Sequence, residues 1–467
     1  MKKILIVLLV LISSGVFAGE GWTNLLDSKN GIKDWKEING TAKYELIDGV
    51  LVGTTKVGSP NSFLSDGKTY GDFILEVDLK VNENMNSGIQ IRSQSTKAYR
   101  NGRVHGYQCE IDPSARAWSG GIYDEARRGW LYPLCLNEKG RTAFKNGEWN
   151  HYRIEAIGNS IRTWVNGIPC ADLIDDMDSE GFIAFQVHSI GGDASRVGEQ
   201  IRWKNIRIKT DNLKQSSWTD VRVVNLIPNN LSPQEIAQGW KLLFDGKTTN
   251  GWRGVNKDQF PSKGWHVENG ELVVEAAEGK ESGNGGDIVT KDEYSTFEFK
   301  TDFKITPGAN SGIKYFITEK YGSGKSAIGL EYQILDDQRH PDAKLGTDGN
   351  RTISSLYDLI PAYKNKTVNK PGEWNHALII VKGTRHEEWI KGSGMESSDF
   401  AGANVEHWLN ERKTLSYERG TQAFNALVAR SKYAKWDGFG LWQKGHILLQ
   451  DHGNEVHYRS IKVRVIK

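Results

Sequence analysis

The pentapeptide Gly-Glu-Trp-Asn-His occurs at Gly147–His151 and again at Gly372–His376, and the repetition spreads along the whole chain. Gly21-Trp22 with Asp27 and Trp35 returns as Gly239-Trp240 with Asp245 and Trp252. Asn86-Ser87-Gly88-Ile89 returns as Asn310-Ser311-Gly312-Ile313, and Ile122-Tyr123-Asp124 as Leu356-Tyr357-Asp358. Gln186-Val187-His188 returns as Gln450-Asp451-His452. All five correspondences keep one order, so the chain is one domain written twice. Its 467 residues exceed one core and fit two domains of roughly 200 residues each. Polar residues present in both copies, at strand positions that could be apolar, are the first candidates for chemistry.

Short Val-, Ile-, Tyr- and Trp-rich runs alternate with turn signals and 51 glycines, the pattern of an all-β sandwich or barrel. Phe73–Leu79 and Phe297–Phe303 alternate apolar and polar, as half-buried strands do. Ile161–Val165 followed by Asn166-Gly167 predicts a strand entering a type I′ hairpin. Strands at Trp149 and at Ile201–Ile208 join it in one face of a jelly roll. The first domain is expected over 21–210 and the second over 239–467, with a polar linker over 211–238. Within that linker, Ser232-Pro233-Gln234-Glu235 predicts a short helix, with Ser as N-cap and Pro at N1. Thr384–Asn404 is an insertion where the first copy has only Asn159-Ser160, and Glu411 stands where a hairpin glycine is expected.

The N-terminus reads as a signal peptide over 1–18. Lys2 and Lys3 are its charged region, Ile4–Ile12 its apolar stretch and Val16-Phe17-Ala18 its cleavage site. This predicts a periplasmic or secreted protein with no membrane anchor in its mature form. The three cysteines, Cys109, Cys135 and Cys170, all fall in the first copy, so disulfides are not part of the shared design. A net charge of +2 with mixed signs and no basic block argues against nucleic acid.

Residues two apart on a strand share a face. Gln108 with Glu110 in copy one, and Glu331 with Gln333 in copy two, therefore each put a carboxylate beside a carboxamide, opposite a core face. Gln186 with His188, and Gln450 with His452, repeat the arrangement. Gln90 with Arg92, and Lys314, supply a donor or cation from the neighbouring strand. Tyr123-Asp124 and Tyr357-Asp358 are expected at a strand end beside these residues. In copy one a charged patch through Arg128 follows, ending on the aromatic face of Trp130. Such a cleft suits a hydroxyl-rich ligand, because carboxylate, amide and imidazole each orient hydroxyl groups; the competing reading of any one pair is a solvated polar face. Glu331 with His452, joined by Asp358, could hold calcium, manganese or zinc. Asp336–Asp342 offers either a second cation site or an exposed acidic turn. No nucleophile elbow, phosphate loop or paired-cysteine zinc site is present, and no organic cofactor is implied.

These strings resemble a tandem member of the 3-keto-disaccharide hydrolase family. The resemblance rests on His105–Pro113, Trp118–Asp124 and Trp164–Gly167 in copy one, and on Gly329–Asp336, Leu356–Pro361, Val405–Asn410 and Leu449–Gly453 in copy two. It implies two concanavalin A-like jelly-roll β-sandwiches and cleavage of glycosides already oxidised at sugar carbon 3. A ketone at C3 acidifies the C2 proton, so a base can remove it and the glycosidic oxygen leaves C1 by β-elimination; water then adds to the enone. Under this resemblance Glu331 or Asp358 is base or metal ligand, His452 acid, base or ligand, and Lys314 the enolate stabiliser. Gln333, Gln450 and Tyr357 then contact substrate. The matching positions in copy one are Glu110, Asp124 and His188, with Gln90, Arg92, Gln108, Tyr123, Arg128, Trp130 and Gln186 around them. Acid and amide exchange places between the copies, and the Leu449–Gly453 string is the closer match, which favours copy two as the catalytic unit. A lectin-like protein that binds carbohydrate without turnover is the alternative. In a third reading copy one docks a partner sugar 3-oxidoreductase.

Overall fold

The computed structural model describes residues 21–26, 31–82, 85–321, 326–383, 403–436 and 438–466. The signal segment 1–18 and most of the Thr384–Asn404 insertion lie outside them. The chain divides into two compact units, Met1–Arg222 and Val223–Lys467, each an all-β sandwich of two antiparallel sheets. Among the described residues no helix is long and apolar enough to cross a membrane.

In the first unit one sheet runs Ile168–Ile174, Ser160–Val165, Asn150–Ile157, Phe73–Val81, Gln200–Lys209, Val50–Thr54, Lys43–Ile47. It contains the expected hairpin, with Asn166 and Gly167 at φ +51° and +77° as a type I′ turn requires. The facing sheet runs Gly129–Tyr132, Ile122–Glu125, Gly106–Ile111, Ser87–Ser93, Gly181–Val187, Ser62–Tyr70, Lys36–Ile38. All three cysteines are free thiols.

The second unit repeats the plan. Its larger sheet is ordered Trp265–Glu268, Glu271–Val274, Val456–Val465, Phe297–Ile305, Asn375–Gly383, Ala403–Leu409, Arg412–Arg419. The smaller is ordered Trp252–Gly254, Ile288–Thr290, His446–Leu449, Asn310–Tyr321, Ser326–Leu335. Between them lies a core that includes Phe299, Phe303, Ile313, Tyr315, Tyr332 and Leu449. Each such side chain stabilises the fold by about 1.5–3 kcal/mol on burial. On the other face of the smaller sheet, Val289, Ile317 and Leu448 form a separate small apolar cluster. The strict alternation of the sequence therefore divides core from site.

One irregularity recurs in both units. Arg92 and Phe316, at equivalent places in the two Asn-Ser-Gly-Ile strands, have φ +45° and +55°. The pairing register shifts beside both. Each is an extra residue that turns the strand, a β-bulge. Gly181 and Gly445 face the bulges, where a Cβ would lie 2.3 Å and 2.5 Å from the backbone of Arg92 and Phe316.

The expected helix forms over Pro233–Ala237, with Ser232 and Glu235 making a reciprocal capping box. The segment expected as a polar linker is bonded to the units on either side. Arg162 donates to the carbonyls of Ser216 and Ser217 in the first unit. In the second, Asn229 bonds Ser460 and Gly270, and Lys462 Nζ meets Glu235 at 2.6 Å with both side chains buried. Removing one partner of a buried ion pair strands the other charge and costs about 3–5 kcal/mol. Lys462→Met should therefore lower the unfolding free energy of the second unit by that amount at neutral pH. The loss should shrink as pH falls through the folded-state value of Glu235, which Lys462 and Lys300 hold below the carboxylate range despite burial. Denaturant titrations at two pH values read both effects.

Candidate functional site

In the second unit the site is built on the face of the smaller sheet turned away from the core. Lys314 pairs with Glu331 across adjacent strands, and Gly312 with Gln333. Cross-strand partners share a face, so all four stand together. Gln450 joins them, its backbone N–H donating to the Gly312 carbonyl at 3.0 Å. Lys314 Nζ stands 4.0 Å from Glu331 Oε2. Gly312 makes room for the carboxylate, since a Cβ there would fall 2.5 Å from Glu331 Oε1.

The electrostatics follow from that crowding. Burial pushes the Glu331 carboxyl above the usual carboxylate range, against the pull of Lys314, Lys432 and His452. Lys314 is desolvated too, yet Glu331, Asp287 and Glu281 together hold its ammonium pKa above the ordinary value. The result is an acid that titrates high beside a cation that stays charged.

At one end of the face, His452 Nε2 lies 3.3 Å from the Asn310 amide nitrogen, and the His340 ring stands edge-on at 6.1 Å. Among the described residues, Gln450 Oε1, Asn310 Oδ1 and His452 Nδ1 are shielded from solvent without a hydrogen-bond partner. Buried polar atoms left open cost free energy unless something else satisfies them. Three of them beside a Lys–Glu pair fit a ligand dense in hydroxyl groups.

Beyond the Ser326–Leu335 strand, Tyr357 N–H donates to the Glu331 carbonyl at 3.0 Å, placing Tyr357 on Glu331's face. Tyr357 gives its hydroxyl to Asp342 at 2.8 Å. Arg351 bridges Asp342 and Asp358 at 2.9 and 2.8 Å. Asp358 is thus the anchor of this rim rather than a free base.

Asp287, Glu281, Lys432 and Tyr433 were missed by sequence reasoning. Asp287 immediately precedes the Ile288–Thr290 strand. Glu281 lies in the glycine-rich stretch over 279–286, whose backbone Asp451 holds through bonds from Gly285 and Gly286. Lys432 and Tyr433 belong to a second insertion, within 420–445, where copy one has only the short connection 175–180. Comparing the lengths between these strands in the two copies was the signal that could have found it.

The expected metal pair does not come together with a third ligand. Among the described residues no three His, Cys, Asp or Glu side chains gather as a cation site. Within the Asp336–Asp342 segment each acid already has a partner: Asp336 with Arg339 and Gly308 N–H, Asp337 with Lys366, and Asp342 as above.

In the first unit the same positions carry different groups. Gly88 pairs with Glu110 and Gln90 with Gln108, so Gln90 stands where Lys314 does, Gln108 where Glu331 does, and Glu110 where Gln333 does. They satisfy one another. Ser93 donates to Gln90 at 2.7 Å, Gln90 to Gln108, and Gln108 and Asn86 to Glu110 at 2.8 and 2.6 Å. Gln186 is buried beside them with both amide atoms unpartnered. Tyr123 and Trp130 do share this face, their rings edge-on at 5.2 Å, whereas His188 is held locally by the Ser189 carbonyl at 2.8 Å.

Three expected site residues of copy one do not reach it. Asp124 pairs with Tyr107, which puts it on the opposite face, in a buried cluster with Arg127 and Arg128. Arg128 is spent there too, on Asp124 and Asp175. The bulge swings Arg92 away from Gln90, and its guanidinium bonds the Gly71 and Gly158 carbonyls and Asp72.

Fold and site together define a tandem β-sandwich protein in which one sandwich carries a lysine-countered carboxylate among open hydrogen-bonding groups. The chain belongs to the 3-keto-alpha-glucoside-1,2-lyase-like domain family, whose pattern matches residues 21–209 and again 239–464. It is 38% identical over 253 residues to a 3-keto-disaccharide hydrolase of Bacteroides thetaiotaomicron, covering 49% of this chain and 79% of that protein. A solved structure of a putative glycosyl hydrolase from Parabacteroides distasonis is 28% identical, covering 51% of this chain and 100% of that one, with a TM-score of 0.42. Another from the same organism is 26% identical, covering 49% and 99%, with a TM-score of 0.33.

Glu110 gives the first unit a testable signature. Burial pushes its carboxyl up to about 7, so between the ordinary value and that point the folded chain holds a proton the unfolded chain has released. Stability of the first unit should therefore fall as pH rises through that window, by about 3 kcal/mol in all. Glu110→Gln should flatten the slope, Asn86 turning its amide to suit. Calorimetric scans of the intact variant and parent from pH 5 to 8 measure the difference.

Proposed function

We propose that the second unit cleaves glycosides oxidised at sugar carbon 3, by proton abstraction at C2, β-elimination and hydration. The observation that carries this reading is the Lys314–Glu331 pair, a buried acid of raised pKa beside a fixed cation. Glu331 as carboxylate removes the C2 proton, which the C3 ketone has acidified. The electron pair moves into a C2–C3 double bond, and negative charge collects on the C3 oxygen. Lys314 meets that charge in a site of low polarity, where a preplaced cation acts most strongly. The electrons then return and the C1–oxygen bond breaks. Water adds its hydroxyl to C1, and protonated Glu331 returns a proton to C2, giving a free 3-keto sugar. Gln450 and His452 orient the sugar hydroxyls with their unpartnered atoms, and Gln333 contacts the sugar beside them. No step is routed through a metal, for which the residues around Glu331 do not form a ligand set.

In this reading the first unit is not the reacting centre. Its Gln90 and Gln108 can neither carry a cation nor accept the proton, and Glu110 stands at the Gln333 position. The substrate must be supplied by a reaction that oxidises a sugar hydroxyl at C3. We read the segment over 1–18 as a signal peptide, which would carry this chemistry to the periplasm or outside the cell.

Incubation with a 3-keto-disaccharide and with the unmodified disaccharide tests the reading. Release of 3-keto sugar from the first alone is expected, and Glu331→Gln and Lys314→Met should each lower kcat/KM by about 100-fold or more. Because Glu331 must be ionised, kcat/KM should fall on acidification with an apparent pKa above the ordinary carboxylate range. Cleavage of the unmodified sugar at an equal rate would reject the mechanism.

A further inference from the structure

We infer that Lys432, carried on the 420–445 insertion, is the group that protonates the departing glycosidic oxygen. The inference rests on the reading of Glu331 and Lys314 given above and follows from the order of groups across the sheet. Lys314 lies on the strand inside Glu331, toward the middle of the sheet. Tyr357 lies outside it, paired to the Glu331 carbonyl, and Lys432 stands over the Tyr357 ring with Nζ 4.2 Å from its centroid. The order is Lys314, Glu331, Lys432.

A sugar ring repeats that order. C2, whose proton Glu331 takes, is flanked by C3 on one side and C1 on the other. With the C3 oxygen at Lys314, the C1–oxygen bond points away from Lys314, toward Tyr357 and the insertion. Arg351 also stands over the Tyr357 ring but is paired with Asp342 and Asp358, whereas Lys432 is near enough to pull the Glu331 carboxyl down. Desolvation, Lys314 and Arg351 lower its own ammonium pKa, the direction that makes it a better proton donor.

The insertion is built to hold this position. Phe424 stacks on Tyr417 at 5.8 Å, Tyr433 stacks on Phe439 at 4.0 Å, and Arg419 donates to the Trp442 carbonyl at 2.6 Å. Lys432 itself is pinned by its backbone N–H to Asp358 Oδ2 at 3.2 Å, a contact no side-chain substitution removes. In the step, the C1–oxygen bond breaks and its electron pair stays on the oxygen. That oxygen takes a proton from the Lys432 ammonium, leaving an amine. The amine then accepts a proton from the water that adds to C1, and the cycle closes.

The test compares two leaving groups, using the intact chain with a 3-keto-disaccharide and with 4-nitrophenyl 3-keto-glucoside, whose nitrophenolate departs without a proton. Lys432→Met should lower kcat/KM on the disaccharide by about 100-fold and on the nitrophenyl substrate by less than about threefold. Lys432→Arg keeps the charge but cannot release a proton, and should fail to restore the disaccharide. Equal losses on both substrates, or rescue by Lys432→Arg, would overturn the assignment and leave Lys432 an electrostatic or positioning group. A parent protein inactive on both substrates would instead overturn the reading of Glu331 on which the assignment stands.

Discussion

A carboxylate buried in a β-sheet needs cations or hydrogen-bond donors fixed around it to ionise, and in the second unit cations meet that requirement. Glu331 is desolvated, and its two neighbouring ammonium groups come from different parts of the chain. Lys314 is placed by strand register, Lys432 by an insertion. Gly312 is kept empty of a side chain beneath it. The Arg351–Asp342–Asp358 bridge braces the rim that receives the insertion. Each feature is explained by the cost of leaving this charge uncompensated, which exceeds what the surrounding hydrophobic contacts could absorb.

The first unit shows what the scaffold does without that charge. The same strands, the same bulge and the same glycine opposite it are retained, but the cation–acid pair has become an amide pair. Amides both donate and accept, so Gln90 and Gln108 close a chain from Ser93 to Asn86 with Glu110 at its end. Such a chain orders the sheet through hydrogen bonds alone. The face that is chemically open in one copy is chemically closed in the other, with Gln186 the exception.

Alternation made much of this legible in the sequence. Glu331 and Gln333 opposite Tyr332, and Gln108 and Glu110 opposite Tyr107, were placed correctly because a strand has period two and one face was plainly core. The capping box at Ser232 and the Asn166-Gly167 turn were equally local, and equally readable. Arg92 and Asp124 were not. Arg92 is itself the residue that steps out of period, and nothing in its neighbourhood marks a left-handed backbone at an arginine. Asp124 was placed by its matching string, but its face depends on a register with Tyr107 that only the assembled sheet fixes. Lys432 was invisible for a third reason: its role comes from tertiary placement of a segment with no counterpart in the other copy.

That last failure bears on how the two copies came to differ. Substituting Lys and Glu for two glutamines would place an ammonium beside a carboxylate and, on the proposed mechanism, set which way the C3 oxygen points. Protonating the departing oxygen requires a second cation on the far side of the acid. An insertion can supply it without disturbing the sheet, because it enters between strands and docks on a rim that Asp358 and Tyr357 already present. On the proposed mechanism the strand register fixes where a proton is taken, and the inserted segment supplies the donor for the oxygen that departs.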